Sequence, residues 1–290
     1  MAIISDLHGN LPALEAVLAD LAQFSVDQII VAGDVINWGP FSKQVLERVL
    51  AGGWAAIRGN NEDYLLDYDT PRVPAAWSDR AQWPLLPWLQ RQLLGPAHHR
   101  LAAWPDSLSL RFPDGPPIRV VHGAPRSNTQ PIYPTSTEAE VTAMLAGVEE
   151  PLVIAGHTHL PMDRVVGPWR VLNPGSVGVP VQGVLRASYL LLDSDHASQT
   201  WRPTFRQTPI DPAPVLREFV RQGFVEECGV IGRLVMAEFV RAELVLPPFL
   251  VWRAACCPER PLSLDLLAEF EAVDARPYLP PAYHLAGQPA

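Results

Sequence analysis

The sequence predicts an α/β fold on three observations. Short, continuously apolar runs recur through its first two-thirds, amphipathic helical patterns separate the early ones, and nearly every run ends in a polar or Gly-containing turn. The runs lie at residues 2–4, 29–32, 54–57, 118–121, 152–155, 171–172 and 189–192. Continuous rather than alternating apolarity belongs to strands covered on both faces. After the first run, Asn10 stands at an N-cap position, and Leu11, Leu14, Leu18 and Leu21 then recur on one helical face. Pro40 opens a second helix that turns Val45, Leu46, Val49 and Leu50 inward. From Asn61 to about His99, several prolines and Trp77, Trp83 and Trp88 mark an irregular helical excursion between core strands. Beyond Trp201 the pattern changes to two or three amphipathic helices, around residues 215–221, 231–246 and 262–270, separated by Pro-rich joints. The expected organisation is one domain over residues 1–210 and a helical C-terminal extension over 211–290, packed on or near it.

Charge and composition narrow the function. A net charge of −9 opposes coating a polyanionic nucleic acid, so an anionic substrate needs local positive charge, for which bound cations are the obvious source. The N-terminus lacks the pattern of a signal peptide, and no apolar run is long enough to span a bilayer, which points to the cytoplasm. Cys228, Cys256 and Cys257 are odd in number and not at zinc-ligand spacing with a His, as expected of free thiols in a reducing compartment.

The chemistry is carried by position. Asp6 and His8 follow the first apolar run, Asp34 the second, Asn60 the third, His122 the run at 118–121, and His157 and His159 the run at 152–155. Each candidate thus sits just past the carboxyl end of a predicted strand, the edge at which open α/β sheets form their sites. Gly9, Gly33, Gly59, Gly123 and Gly156 stand beside them and permit tight turns. Two carboxylates, one amide oxygen and four imidazoles form a mixed O/N set for borderline divalent metals: manganese first, with iron, zinc or nickel as alternatives. Seven ligands are too many for one ion and suit two that share a carboxylate. Such a pair, about 3.5–4 Å apart, activates a bridging water and clamps both ends of an in-line phosphoryl displacement.

Asp-Leu-His-Gly-Asn, Gly-Asp, Gly-Asn, His-Gly and Gly-His-Thr-His, in that order, resemble the calcineurin-like metallophosphoesterase superfamily, in particular its small bacterial and archaeal phosphodiesterase branch. Asn173-Pro174-Gly175-Ser176 and the segment Gly33 to Pro40 extend the resemblance, which covers about residues 1–210. It implies two β-sheets packed face to face and flanked by helices. It also implies that Asp6, His8, Asp34 and His159 hold one metal and that Asp34, Asn60, His122 and His157 hold the other, with Asp34 bridging.

Two departures shape the expected activity. Many relatives carry His after the Gly-Asn asparagine, thought to steady the transition state or protonate the leaving group; here Asn61 stands there. An amide is no general acid, although it can donate a hydrogen bond to a phosphoryl oxygen or cap the following helix. Relatives also often carry Arg shortly after the Asn-Pro-Gly-Ser motif, where this chain runs from Val177 to Val181; Arg58 and Arg126 are the candidates to compensate. Asp34, Asn60, Asn61 and His122 are therefore the expected catalytic residues, acting on small phosphodiesters or nucleotide-type substrates through a metal-bridging hydroxide. Phosphomonoesterase and dinucleoside polyphosphate hydrolase activities are the sibling alternatives, and a non-catalytic scaffold is the alternative of a different class. Polymeric nucleic acid and membranes are not expected partners, and homo-oligomerisation stays open. His98, His99, His196 and His284 read as surface residues, and Trp77, Trp83 and Trp88 as core packing before base stacking.

Overall fold

A computed structural model describes residues 1–285 apart from 74–76, 78, 94, 114 and 196–199; His196 lies outside the described residues. Two five-stranded sheets form the centre. The first has the order β10-β9-β1-β2-β3, from β1 (Ala2–Ile4), β2 (Ile29–Val31), β3 (Ala55–Ala56), β9 (Arg186–Asp195) and β10 (Thr200–Pro209). The second has the order β4-β5-β6-β8-β7, from β4 (Ser107–Phe112), β5 (Gly115–Val121), β6 (Leu152–Ala155), β7 (Met162–Val166) and β8 (Trp169–Asn173). β1, β2 and β3 run parallel, with Ile3 opposite Ile30 and Val31 opposite Ala56. β5 and β6 are likewise parallel, with Ile118 opposite Leu152.

Alternation along the strands assigns every buried side chain to one of two faces. Ile3, Ile30, Leu190 and Leu192 of the first sheet meet Ile118, Val120, Leu152, Ile154 and Leu172 of the second in one apolar cluster, so the sheets pack face to face. The opposite faces are covered by helices. Ala2, Ile4, Val31 and Tyr189 join a cluster with α1 (Leu11–Leu21), α2 (Ser42–Ala51) and α4 (Leu85–Leu93), while Val121, Val153 and Ala155 pack with α6 (Glu138–Leu145). Burial on both faces is why these strands read as continuous apolar runs.

α3 (Asn60–Leu66), α4 and α5 (Pro96–Ala102) make up the predicted excursion. Trp77 stacks on Trp83 at 5.4 Å between ring centroids, and Trp88 meets Phe224 edge-on at 4.6 Å. Trp88 is buried in the core, and Trp77 and Trp83, partly buried, pack against it. α2 opens at Ser42 behind Phe41, two residues later than Pro40 suggests.

The C-terminal region corrects the sequence reading. It holds four α-helices among the described residues, where two or three were expected: α7 (Ala213–Arg221), α8 (Phe224–Arg241), α9 (Leu246–Cys256) and α10 (Leu264–Glu271). Short 3₁₀ turns at Arg276–Tyr278 and Pro281–Leu285 follow. α9 lies partly in what reads as a Pro-rich joint; Pro at the first helical positions lacks only an N–H that the helix leaves unpaired, so it opens the helix. Val215, Phe219, Phe224, Phe249 and Phe270 join the cluster over the first sheet.

Candidate metal centre

Both sheets send the carboxyl ends of their parallel strands to one edge of the molecule. Turns after β1, β2 and β3 deliver Asp6, His8, Asp34 and Asn60, and turns after β5 and β6 deliver His122, His157 and His159. All seven predicted positions come together there. Asp6, His8, Asp34, His157 and His159 have φ between 47° and 69°, the left-handed region. That conformation costs a residue with a side chain about 1 kcal/mol or more, though Asp, Asn and His tolerate it best. Two glycines make the approach possible. A Cβ on Gly33, at φ 91°, would meet the His122 ring, and one on Gly59 would collide with the Asp34 carboxylate.

Donor atoms fall into two groups, Asp6 with His8 and His159, and Asp34 with His122 and His157; within each, one ligand atom per residue lies within 4.8 Å of the others. The groups adjoin. His8 Nε2 is 3.7 Å from Asp34 Oδ2, and His122 Nε2 is 3.2 Å from Asp34 Oδ2 and 3.9 Å from Asp6 Oδ1. Backbone carbonyls fix two of the rings. His122 Nδ1–H donates to Ala32 O at 2.8 Å and His159 Nδ1–H to Val179 O at 2.7 Å, which turns both Nε2 atoms inward.

Potential acceptors then face each other, His8 Nε2 in the tautomer that keeps its lone pair inward. His8 Nε2 and His159 Nε2 are 3.0 Å apart, and His122 Nε2 is 3.0 Å from Asn60 Oδ1. His8 Nδ1 is buried without a hydrogen-bond partner. Only a proton or a cation between such atoms removes the repulsion, so this donor set fits divalent metals.

The charge balance says the same. Burial opposes a charged His122, yet the Asp34 and Asp6 carboxylates beside it push it up to about 10. Burial likewise opposes ionisation of Asp34, but His122 and His8 hold its carboxyl well below the usual range. Burial drives His8 and His157 down to about 4, leaving neutral rings with free lone pairs. Two buried carboxylates thus demand positive charge here, which a metal can satisfy as a proton does.

Glu62 escaped the sequence reading, and the motif residues Asn173 and Ser176, noted there only as part of the resemblance, have a structural part in the site. Glu62 is fully buried; Oε2 accepts from the N–H groups of Asp34 (2.9 Å) and Gly59 (2.6 Å), and Oε1 from those of Val35 (2.8 Å) and Ile36 (3.1 Å). It shapes the turn that carries Asp34, and its position as third residue of α3 after Gly59 was the available signal. The Asn-Pro-Gly-Ser motif is a brace: Asn173 Nδ2 donates to Gly156 O at 2.7 Å and to Thr158 Oγ1 at 3.0 Å, and Ser176 Oγ donates to Asp6 O at 2.9 Å. Trp38 stacks on His8 with centroids 5.1 Å apart.

Asn61 is placed at the centre but is engaged there. Its Nδ2 donates to Asp34 Oδ2 at 2.6 Å, its backbone N–H to Asp34 Oδ1 at 2.9 Å, and its Oδ1 accepts from Asn37 Nδ2 at 2.5 Å. Arg58 and Arg126 line a separate cavity of about 710 Å³ that His122 also borders. Arg58 pairs with Asp63 (3.1 Å) and with Asp106, and Arg126 donates to Ala146 O at 3.1 Å. Neither lines the cavity over the two donor groups. His98 is half-buried beside the 710 Å³ cavity, while His99 and His284 are exposed. Cys228, Cys256 and Cys257 are free thiols.

A sandwich of two sheets with clustered carboxylates and imidazoles at one strand edge defines a metal-dependent phosphoesterase. The chain belongs to the calcineurin-like phosphoesterase superfamily, whose domain matches residues 1–197. It is similar to phosphodiesterase YfcE of Escherichia coli, 29% identical over 201 residues that span 66% of this chain and 85% of that protein. Among solved structures it resembles a metallophosphoesterase from Sphaerobacter thermophilus (TM-score 0.63, 24% identity, 83% of this chain and 98% of that one). Protein PH1004 from Pyrococcus horikoshii shares the fold as well (TM-score 0.67, 20% identity, 81% and 96%). No described helix is long and apolar enough to cross a membrane.

Proposed function

We propose that the chain hydrolyses small phosphodiesters at a binuclear metal centre. The observation that carries this reading is the convergence of acceptor atoms in two adjoining groups with the Asp34 carboxylate next to both. Asp6, His8 and His159 would hold one ion, Asn60, His122 and His157 the other, and Asp34 would bridge them. Manganese is the first choice for this O/N set, with iron, zinc or nickel as alternatives. When bound, two such ions supply a water-derived nucleophile at neutral pH and neutralise charge on the phosphoryl oxygens.

The rest is done by the chain's own residues. Asn61 fixes the Asp34 carboxylate through two hydrogen bonds and retains a second amide N–H. Ala32 O and Val179 O hold His122 and His159 in the tautomer that presents Nε2. Among the described residues, no Lys or Arg lines the cavity over the donor groups, and Asn61, beside Asn60, is an amide that cannot deliver a proton. Diesters and esters with good leaving groups are therefore favoured over alkyl monoesters, which need a proton delivered. The likeness to the phosphodiesterase YfcE supports the same choice.

Metal analysis of the purified protein, paired with bis-p-nitrophenyl phosphate and p-nitrophenyl phosphate as substrates, tests the reading. Two ions per chain and faster diester turnover are expected. A preference for the monoester moves the assignment to a phosphomonoesterase, and metal-free protein without manganese-stimulated hydrolysis moves it to a scaffold. Asp34→Asn is expected to lower turnover at least about a thousandfold; near-normal turnover would remove the bridging role.

A further inference from the structure

We propose that residues 244–247 and 279–283 roof the catalytic cavity and shape it to hold, beside the phosphoryl group, one compact apolar ester arm, aryl or short alkyl, the other arm of a diester lying outside the roof. The inference rests on the metal-centre reading above. Every roof residue lies beyond residue 197, outside the part of the chain that matches the superfamily.

The roof is fastened to the turns that carry the candidate ligands. Tyr283 O–H donates to Thr158 O at 3.1 Å, between His157 and His159 in the chain. Gly183 N–H donates to Ala242 O at 2.9 Å. Ala282 is buried against Leu160 and Val181, and Tyr133, Leu244 and Tyr283 complete that apolar cluster. These contacts set the C-terminal segment directly beside His159.

Beneath the roof is a chamber of about 220 Å³. His8, Asp34, Asn60, His157 and His159 are on its wall; Trp38, Tyr133, Leu244, Pro247, Pro280 and Tyr283 face them. Size and chemistry both select. An apolar cavity of about 150 Å³ accommodates benzene, so the roofed space of about 220 Å³ has room for one aryl-sized arm beside the phosphoryl group, the second arm of a diester lying outside it. Trp38, stacked on His8, and the Tyr133–Tyr283 pair, edge-on at 5.8 Å, offer ring faces and edges to such an arm. No Lys or Arg lines the chamber among the described residues, so the further charges of a polyphosphate would be buried without a counter-charge.

Calorimetric binding of phenylphosphonate and methylphosphonate to the manganese-loaded protein tests the roof independently of turnover. Phenylphosphonate is expected to bind about tenfold tighter or more, because its ring leaves water for the chamber. Leu244→Asp should bring that ratio close to one at undiminished metal content; Leu244→Ala, the milder change, should lower it about threefold. Equal affinities in the unsubstituted protein, or a ratio that neither substitution moves, would overturn the proposal. The two readings fail separately. If diester turnover is absent and the ratio holds, the proposed function falls and the roof stands; if turnover is present and the ratio is one, only the roof falls.

Discussion

Two buried glutamates organise the two sides of the catalytic cavity, and they are not equally well served. Glu62, under the ligand turns, accepts four backbone N–H groups through both oxygens. Glu238, in α8 under the roof, accepts two, from Val245 at 2.7 Å and Leu246 at 2.8 Å, both through Oε1; Oε2 has no partner. Burial pushes each carboxyl up to about 7, with Asp34 adding to the effect at Glu62. A carboxylate that satisfies four donors is part of a rigid cup. One that satisfies two and leaves an oxygen bare holds its turn at a cost in stability. The floor is therefore built more tightly than the roof, as befits side chains that must meet a metal within tenths of an ångström rather than enclose an apolar arm.

Breaking the floor should have the larger effect. Glu62→Gln keeps the shape but turns N–H groups towards two of the four backbone donors. We expect a loss of about 2–4 kcal/mol in denaturant unfolding. Displacement of the Asp34 turn should also weaken metal binding roughly 10–100-fold, measured by competition with a chelator. Unchanged metal affinity would mean that Asp34 does not depend on this carboxylate for its place.

The roof should respond differently, and with pH. Folded Glu238 keeps its proton up to about pH 7, whereas the unfolded chain releases it near 4.5, the ordinary value for a glutamate. Folding therefore takes up a proton between those values, and this residue's contribution to stability falls as pH rises from 4.5 to 7. Glu238→Gln retains the Oε1 acceptor and removes the titration. In metal-depleted protein the variant should gain on the unsubstituted chain as pH rises, by up to roughly 3 kcal/mol, with the difference level above pH 7. His159, which favours the ionised form, and the neighbouring Tyr283 phenol are the titratable groups to follow alongside it. A pH-independent difference between the two proteins would show that Glu238 is ionised throughout.

The same contrast explains what the sequence made legible. Asp6, His8, Asp34, Asn60, His122, His157 and His159 announce themselves because parallel buried strands end at a common edge and the polar residues there have no packing to do. The strands missing from the sequence reading are β4, β7 and β10, each at the edge of its sheet. An edge strand is less completely covered than a central one, so the exposed Arg202 and Thr204 and the half-buried, Asp20-paired Arg206 interrupt the apolar signal that a central strand gives continuously. α9 was hidden by Pro247 and Pro248, which mark a joint in most contexts and a helix start in this one. Leu244 and Tyr283 carry no local mark of function at all. Only the return of the chain over the Gly-His-Thr-His turn puts them beside His159.

The smallest change isolates how the roof is held from what it encloses. Tyr283→Phe removes the phenol's hydrogen bond to Thr158 O and its hydroxyl contact with Tyr133, and keeps the ring against Tyr133. Its cost should be about 0.5–1.5 kcal/mol in unfolding free energy. The preference for phenylphosphonate over methylphosphonate should survive, because the apolar wall of the chamber stays in place. A collapse of that preference would mean that the phenol's bond to Thr158, rather than the apolar packing of Ala282 on Leu160 and Val181, sets the position of the roof.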